Sequence, residues 1–202
     1  MNPFKGTRPL DVLTDALHWC GFFGFLFGFA LVVWPFYAVR NFFGLMRGCR
    51  SFAISVVLIS LDQAIKIWAH VDLAHRDRPL TLIDGLLDLR YAQNVGAAFS
   101  ILPGRTFVLI MMAVFTVFII VLYTAMSQED EPLTRAGLVL IFAGAVGNML
   151  DRSIHTYVID YVHVFWGTWD RWPIFNLADA MIDIGVGLLA IDFLIDCFSG
   201  RE

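Results

Sequence analysis

Charge is scarce in this chain. Asp, Glu, Lys and Arg make up 16% of its 202 residues, where a soluble domain carries about a quarter. Disorder is excluded, because there are too few charges and too many aromatics. A nucleic-acid partner is not expected: the net charge is −4 and the Lys and Arg never gather into a stripe. Cysteine is equally sparse. Cys20, Cys49 and Cys197 are odd in number and widely spaced, which gives neither a disulfide framework nor a metal-ligand spacing. Cys20 and Cys49 follow His18–Trp19 and Arg47–Gly48, so neither looks like a lipid-attachment site. The sequence holds no H-E-x-x-H, no G-x-S-x-G, no Gly-rich phosphate loop, no Gly-x-Gly-Asp and no internal repeat. No cofactor and no metal are expected.

Apolar residues dominate instead, at 58% with 19 Phe and a mean hydropathy of +0.71. The chain reads as an integral membrane protein. About 20 apolar residues cross a bilayer as a helix. Ala16 to Val39 and Thr106 to Ser127 meet that length without a single Asp, Glu, Lys or Arg. Three further runs are interrupted. Ser51 to Val71 holds Asp62 and Lys66, and the run from Ala136 is uncharged until Asp151 and Arg152. Leu177 to Phe198 holds Asp179, Asp183, Asp192 and Asp196. Five helical segments are expected, the first staying attached rather than being cleaved as a signal peptide.

Asp72 to Gly104 is a long connection whose stretch Leu80 to Asn94 alternates around a Gly, as a pair of strands would. Tyr161 to Phe175 carries Trp166, Trp169 and Trp172, a density suited to the membrane–water interface. Both follow even-numbered crossings and so share one membrane face. Three Arg between Arg40 and Arg50 lean toward the cytoplasm, while other Arg lie on the opposite side.

Charges inside membrane spans are costly and are paired or functional. Asp62 and Lys66 stand four apart on one helical face and can pair. Asp151 and Arg152 are adjacent, so they need separate partners, with Asn148 one turn back from Arg152. Asp160, read as ending an extension of the fourth span, and Asp179, opening the fifth, can return to similar depth. Two close carboxylates cannot both ionise easily, which supplies an acid and a base in one site. Aspartyl peptide hydrolysis requires that pair. Two alternatives stay open: Asn176 and Asp179 could form a helix-capping arrangement, and Asp183, one turn on, could face the same cavity. Intramembrane Asp and Arg also suit a proton-coupled transporter or its subunit.

The stretches LDQAIK (Leu61 to Lys66), NVGAAFS (Asn94 to Ser100), GAVGNMLDR (Gly144 to Arg152), VIDY (Val158 to Tyr161) and FNLAD (Phe175 to Asp179) resemble, in order, the motifs of lipoprotein signal peptidase, signal peptidase II. The resemblance implies an aspartyl endopeptidase of the bacterial inner membrane. It would cut diacylglyceryl-modified prolipoproteins on the N-terminal side of the lipidated cysteine. By motif position, Asp160 and Asp179 match the catalytic pair. Asp62, Lys66, Asn94, Asn148, Asp151, Arg152, Asn176 and Ala178 match positions that support the pair or the substrate.

The implied fold is an all-α integral membrane protein. It has a four-helix transmembrane core, one extra N-terminal hydrophobic helix and a small extracytoplasmic β-like subdomain, with the site toward the outer face. The implied organisation is an N-terminal extension at 1–50, the peptidase core at 51–198 and a short tail at 199–202. The implied partners are prolipoprotein substrates and membrane lipids, with no obligate protein partner. Ala143, Ile65, Ala180 and Asp183 depart from the family's usual residues.

Overall fold

The computed structural model describes residues 42–96, 103–127, 131–166 and 172–199. The expected span Ala16 to Val39, Cys20, the last four residues of NVGAAFS and Trp169 lie outside these. The chain divides into two compact units, Met1–Gly48 and Cys49–Glu202, and apart from residues 42–48 the described residues belong to the second.

Four helices and a small sheet make up the described chain: α1 (Phe42–Asp72), a 3-10 turn (Leu73–His75), β1 (Leu80–Ile83), β2 (Leu87–Asn94), α2 (Thr106–Met126), α3 (Pro132–His155), β3 (Val158–Val164) and α4 (Leu177–Ser199). The segments Gly48–His75, Thr106–Met126 and Pro132–His155 are long and apolar enough to cross a membrane. They leave large apolar side chains such as Phe52, Val57, Phe107 and Phe115 exposed, as a lipid-facing surface does. The fourth helix, α4, is interrupted by the four aspartates noted above.

One expectation about the chain path is corrected. Asp160 does not end a helical extension. Helix α3 stops at His155, where Thr156 takes a left-handed conformation (φ +69°) and returns its N–H to the Arg152 carbonyl at 3.0 Å. That closes the helix C-terminus and frees the next residues to extend. VIDYVHV then forms β3, buried along most of its length. It pairs antiparallel with β2, giving a three-stranded sheet in the order β1-β2-β3. The β1–β2 hairpin turns at Gly85, whose φ of +71° lies where glycine is favoured.

The sheet joins strands from both long connections at the C-terminal ends of α1 and α3. Ala69 and Leu73 of α1 and its following turn pack against Ile159 and Tyr161 of β3 in a buried cluster. Thr106, opening α2, donates its hydroxyl to the Thr156 carbonyl at 3.0 Å, which brings the start of α2 to the same end.

Helices α3 and α4 meet through glycines. A Cβ on Gly144 would collide with the Ala178 carbonyl of α4, and one on Gly137 would lie 2.8 Å from the Gly185 carbonyl; one on Gly147 would lie 2.6 Å from Asp62 Oδ2 of α1. Only hydrogen at these positions lets the backbones approach.

Candidate active site

The first turn of α4 organises the site. Its leading N–H groups have no partner inside the helix, and other elements supply acceptors. Leu177 N–H donates to the Tyr161 hydroxyl at 3.2 Å. Ala178 N–H donates to Asp62 Oδ1 at 3.0 Å. Asp179 N–H donates to Asn176 Oδ1 at 3.0 Å, while Asn176 N–H donates back to Asp179 Oδ2 at 3.2 Å. This last pair is a reciprocal cap. The capping role and the carboxylate pair, which looked like alternatives in the sequence, coexist.

Asn176 is also the bridge between the two carboxylates. Fully buried, it donates its side-chain amide to Asp160 Oδ1 at 2.6 Å. Asn94 on β2 donates to the other oxygen of Asp160 at 3.1 Å. Asn94 stands opposite Val158, so Asp160 is its diagonal neighbour across the strands. Asn148 on α3 donates to Asp179 Oδ1 at 2.7 Å, and its own oxygen lies within reach of Asn176 Nδ2 and Lys66 Nζ. Three asparagines thus hold two carboxylates in one constellation.

Asp160 is 2% exposed. Burial first, and then the negative charge of Asp179, push its carboxyl up to about 7, against the Asn94 and Asn176 donors that favour the ionised form. Burial likewise pushes the Tyr161 phenol up, so it stays protonated beside α4.

Beneath this layer lies a buried ionic one. Lys66 Nζ stands 3.0 Å from Asp62 Oδ2 and 3.2 Å from Asp151 Oδ2. Asp151 also accepts the Ile159 N–H at 3.0 Å, tying α3 to β3 one residue before Asp160. Arg152, adjacent in sequence, points elsewhere. It donates to the Gly96 carbonyl at 2.8 Å, and its charge acts on Asp179 and Asp160. Among the described residues no buried side-chain nitrogen or oxygen lacks a hydrogen-bond partner.

All ten residues singled out in the sequence, Asp62, Lys66, Asn94, Asn148, Asp151, Arg152, Asp160, Asn176, Ala178 and Asp179, belong to this constellation. Asp183 does not; its side chain is exposed on α4.

Two participants were passed over. Gln63 donates its amide within 3.2 Å of Asp62, the Gly147 carbonyl and Asp151. Tyr161 receives the start of α4. Both sit inside quoted motifs, but nothing local marks them, because their partners are far away in sequence. Among the described residues no group of three or more His, Cys, Asp or Glu could hold a metal ion. A carboxylate pair with one member buried and the other half-buried, in which one keeps its proton, can do general acid and general base work together.

A family model described as signal peptidase (SPase) II matches residues 54–195. The lipoprotein signal peptidase of Geobacter sulfurreducens is 38% identical over 147 residues, covering 70% of this chain and 89% of its own. That of Syntrophomonas wolfei is 37% identical over 151 residues, covering 75% and 95%. That of Listeria monocytogenes is 33% identical over 145 residues, covering 72% and 93%. A solved chain described as a bacterial membrane enzyme, at 2.3 Å resolution, matches with a TM-score of 0.68 and 27% identity, covering 76% of this chain and 92% of that one. A second, at 1.9 Å, gives 0.63 and 27%, covering 73% and 94%.

Fold and relatives together define a membrane enzyme. The chain belongs to the signal peptidase II family, the A8 peptidases, and its activity is that of an aspartic peptidase. The transporter reading is set aside.

Proposed function

We propose that this protein removes signal peptides from diacylglyceryl-modified prolipoproteins, cutting on the N-terminal side of the lipidated cysteine, with Asp160 and Asp179 as the catalytic pair. The observation that carries the reading is Asn176, which donates to Asp160 and exchanges capping hydrogen bonds with Asp179. The named relatives, all lipoprotein signal peptidases, support the substrate class.

In this mechanism Asp160 carries the shared proton and Asp179 is ionised. Asp179 takes a proton from water as the oxygen attacks the scissile carbonyl, while Asp160 gives its proton to the carbonyl oxygen. The resulting gem-diol collapses as Asp179 delivers its proton to the leaving nitrogen and Asp160 recovers one from the diol. Both groups end as they began. The raised proton affinity of Asp160 and the N-terminal position of Asp179 on α4, where helix dipoles favour negative charge, support this division. Asp62, Lys66, Asn94, Asn148, Asp151, Arg152, Asn176 and Ala178 hold the pair in place or meet the substrate.

The same reading makes α4 the last of four core spans at 51–198 and residues 1–50 an added N-terminal segment with its own span. It sets the protein in the bacterial inner membrane with the site toward the extracytoplasmic face.

The test is processing of a diacylglyceryl-modified prolipoprotein by purified wild type, Asp160→Asn and Asp179→Asn in lipid. Loss of cleavage by about three orders of magnitude or more in either variant, with the fold retained, is expected for a general acid or base acting in one unit. Near-normal processing by either variant overturns the assignment.

A further inference from the structure

The lipid-facing surface of α1 runs to its C-terminal end, where Ile67 and Val71 are 63% and 64% exposed. The chain then changes character within a few residues. Asp72 ends the helix, and His75, Arg76, Asp77 and Arg78 follow in the turn that leads to β1. So abrupt a change from apolar to charged side chains sets this turn in the headgroup layer, roughly 5 to 7 Å thick, that separates hydrocarbon from water.

A cavity of about 250 Å³ opens between this turn and β2. Its lining includes Leu73, Arg76, Asp77, Arg78, Arg90 and Tyr91. Two of the three guanidinium groups already face acids. Arg76 gives Nε and Nη2 to Asp72 at 2.9 and 2.8 Å. Arg90 grips Asp88 through Nε and Nη2 at 3.1 and 2.9 Å. Asp77 and Arg78 remain. Both are exposed, and neither has a side-chain partner among the described residues.

The ligand that fits must satisfy one cation and one anion in a cavity whose charges otherwise cancel. A net anion gains Arg78 but meets Asp77. A quaternary ammonium has no N–H to give a carboxylate. A phosphodiester joined by a short link to a primary ammonium offers each residue a charge-assisted hydrogen bond, and guanidinium groups match phosphate oxygens in a planar fork.

We propose that this cavity binds the headgroup of a zwitterionic aminophospholipid, with Arg78 on the phosphodiester and Asp77 on the ammonium. The acyl chains lie along the exposed α1 surface at Val71 and Ile67, which is why a membrane lipid rather than a free headgroup is the occupant.

The test uses the purified full-length chain exchanged into mixed micelles with equal amounts of phosphatidylethanolamine, phosphatidylcholine and phosphatidylglycerol. Retained lipid is counted by native mass spectrometry. Wild type is expected to retain phosphatidylethanolamine about tenfold over the other two, the factor that one charge-assisted hydrogen bond supplies. Arg78→Gln abolishes the preference, and Asp77→Asn shifts it toward phosphatidylglycerol. Arg105→Gln, an exposed arginine that does not line the cavity, leaves it unchanged. Soluble glycerophosphoethanolamine, the same phosphodiester headgroup without acyl chains, fails to displace the lipid at millimolar concentration. Equal retention of the three lipids by wild type, or an unaltered preference in Arg78→Gln, overturns the site. A wild-type preference in Asp77→Asn overturns the ammonium contact, and full displacement by the soluble headgroup overturns the lipid assignment.

Discussion

Asp62 on α1 accepts the N–H of Ala178 on α4 at 3.0 Å, across 116 positions of sequence. One carboxylate therefore closes the helix whose next residue is Asp179, and its second oxygen is held by Lys66 at 3.0 Å. The first turn of α4 is thus positioned by a carboxylate from another helix as well as by its own Asn176–Asp179 cap.

This makes Lys66 the residue whose loss is felt most. Lys66→Met leaves Asp62 and Asp151 buried without their shared cation, which costs about 3–5 kcal/mol for a broken buried pair. Asp72→Asn breaks the Arg76 pair, whose side chains are 39% and 44% exposed; such surface pairs contribute about 0–1 kcal/mol. Thermal denaturation in detergent is expected to show a large drop for the first variant and almost none for the second.

The glycines separate by the same logic. Gly147→Ala would place a Cβ 2.6 Å from Asp62 Oδ2, and Gly144→Ala would drive one into the Ala178 carbonyl. Each is expected to lower stability by about 1–3 kcal/mol and to reduce processing by shifting the start of α4. Gly187 has nothing within 4 Å of a built Cβ. Gly187→Ala is expected to raise stability by about 0.5–1 kcal/mol, the helix preference of Ala over Gly. A loss in Gly187→Ala equal to that in Gly144→Ala would show that close approach is not what sets the cost of these substitutions.

Much of this was written into the sequence. The spans are apolar runs of the right length, and the pair Asp62–Lys66 follows from a spacing of four. The N-terminal cap of α4 was visible in Asn176 and Asp179. What stayed hidden depends on contacts between distant segments. The stretch up to Asp160 resembled a continuation of α3 because the helix ends on a left-handed threonine, not on the glycine that usually announces a stop. Its strand partner lies in another connection altogether. Gln63 gave no signal for a similar reason: a glutamine beside a charged pair looks like an ordinary polar residue until α3 brings Gly147 and Asp151 to it.

The proton affinity of Asp160 should leave a mark on stability. Its carboxyl is raised from an ordinary value of 3.8 to about 7 in the fold, so the folded protein binds the proton more tightly than the unfolded chain does. The stabilisation is fully present below about pH 4 and is lost as pH rises toward 7 and through it. Asp160→Asn cannot ionise and escapes that loss. Its thermal midpoint, relative to wild type, is expected to rise between pH 5 and pH 8; a constant difference across that range would remove the raised carboxyl from the account.

Activity should follow the same titration. With Asp160 as the acid, kcat/KM for a diacylglyceryl-modified substrate falls by about tenfold per pH unit once the pH exceeds the upper apparent pKa of the pair. A profile measured in vesicles between pH 5 and pH 9 checks it. A rate that climbs steadily through that range would overturn the singly protonated pair as the working state.

Helices α3 and α4 touch at two glycine contacts, Gly144 with the Ala178 carbonyl and Gly137 with the Gly185 carbonyl. The contacts are seven residues apart on each helix, or about 10 Å along the axis. A rod touched at one point can pivot; two rods fastened at two points behave as a truss. Sliding or rotating α4 would have to break both close approaches at once, so the spacing between Asp179 at one end of α4 and the α3–β3 corner that carries Asp160 is set by the backbone itself. Any rearrangement around the two carboxyls is left to the elements on the other sides, with the two helices acting as a fixed wall.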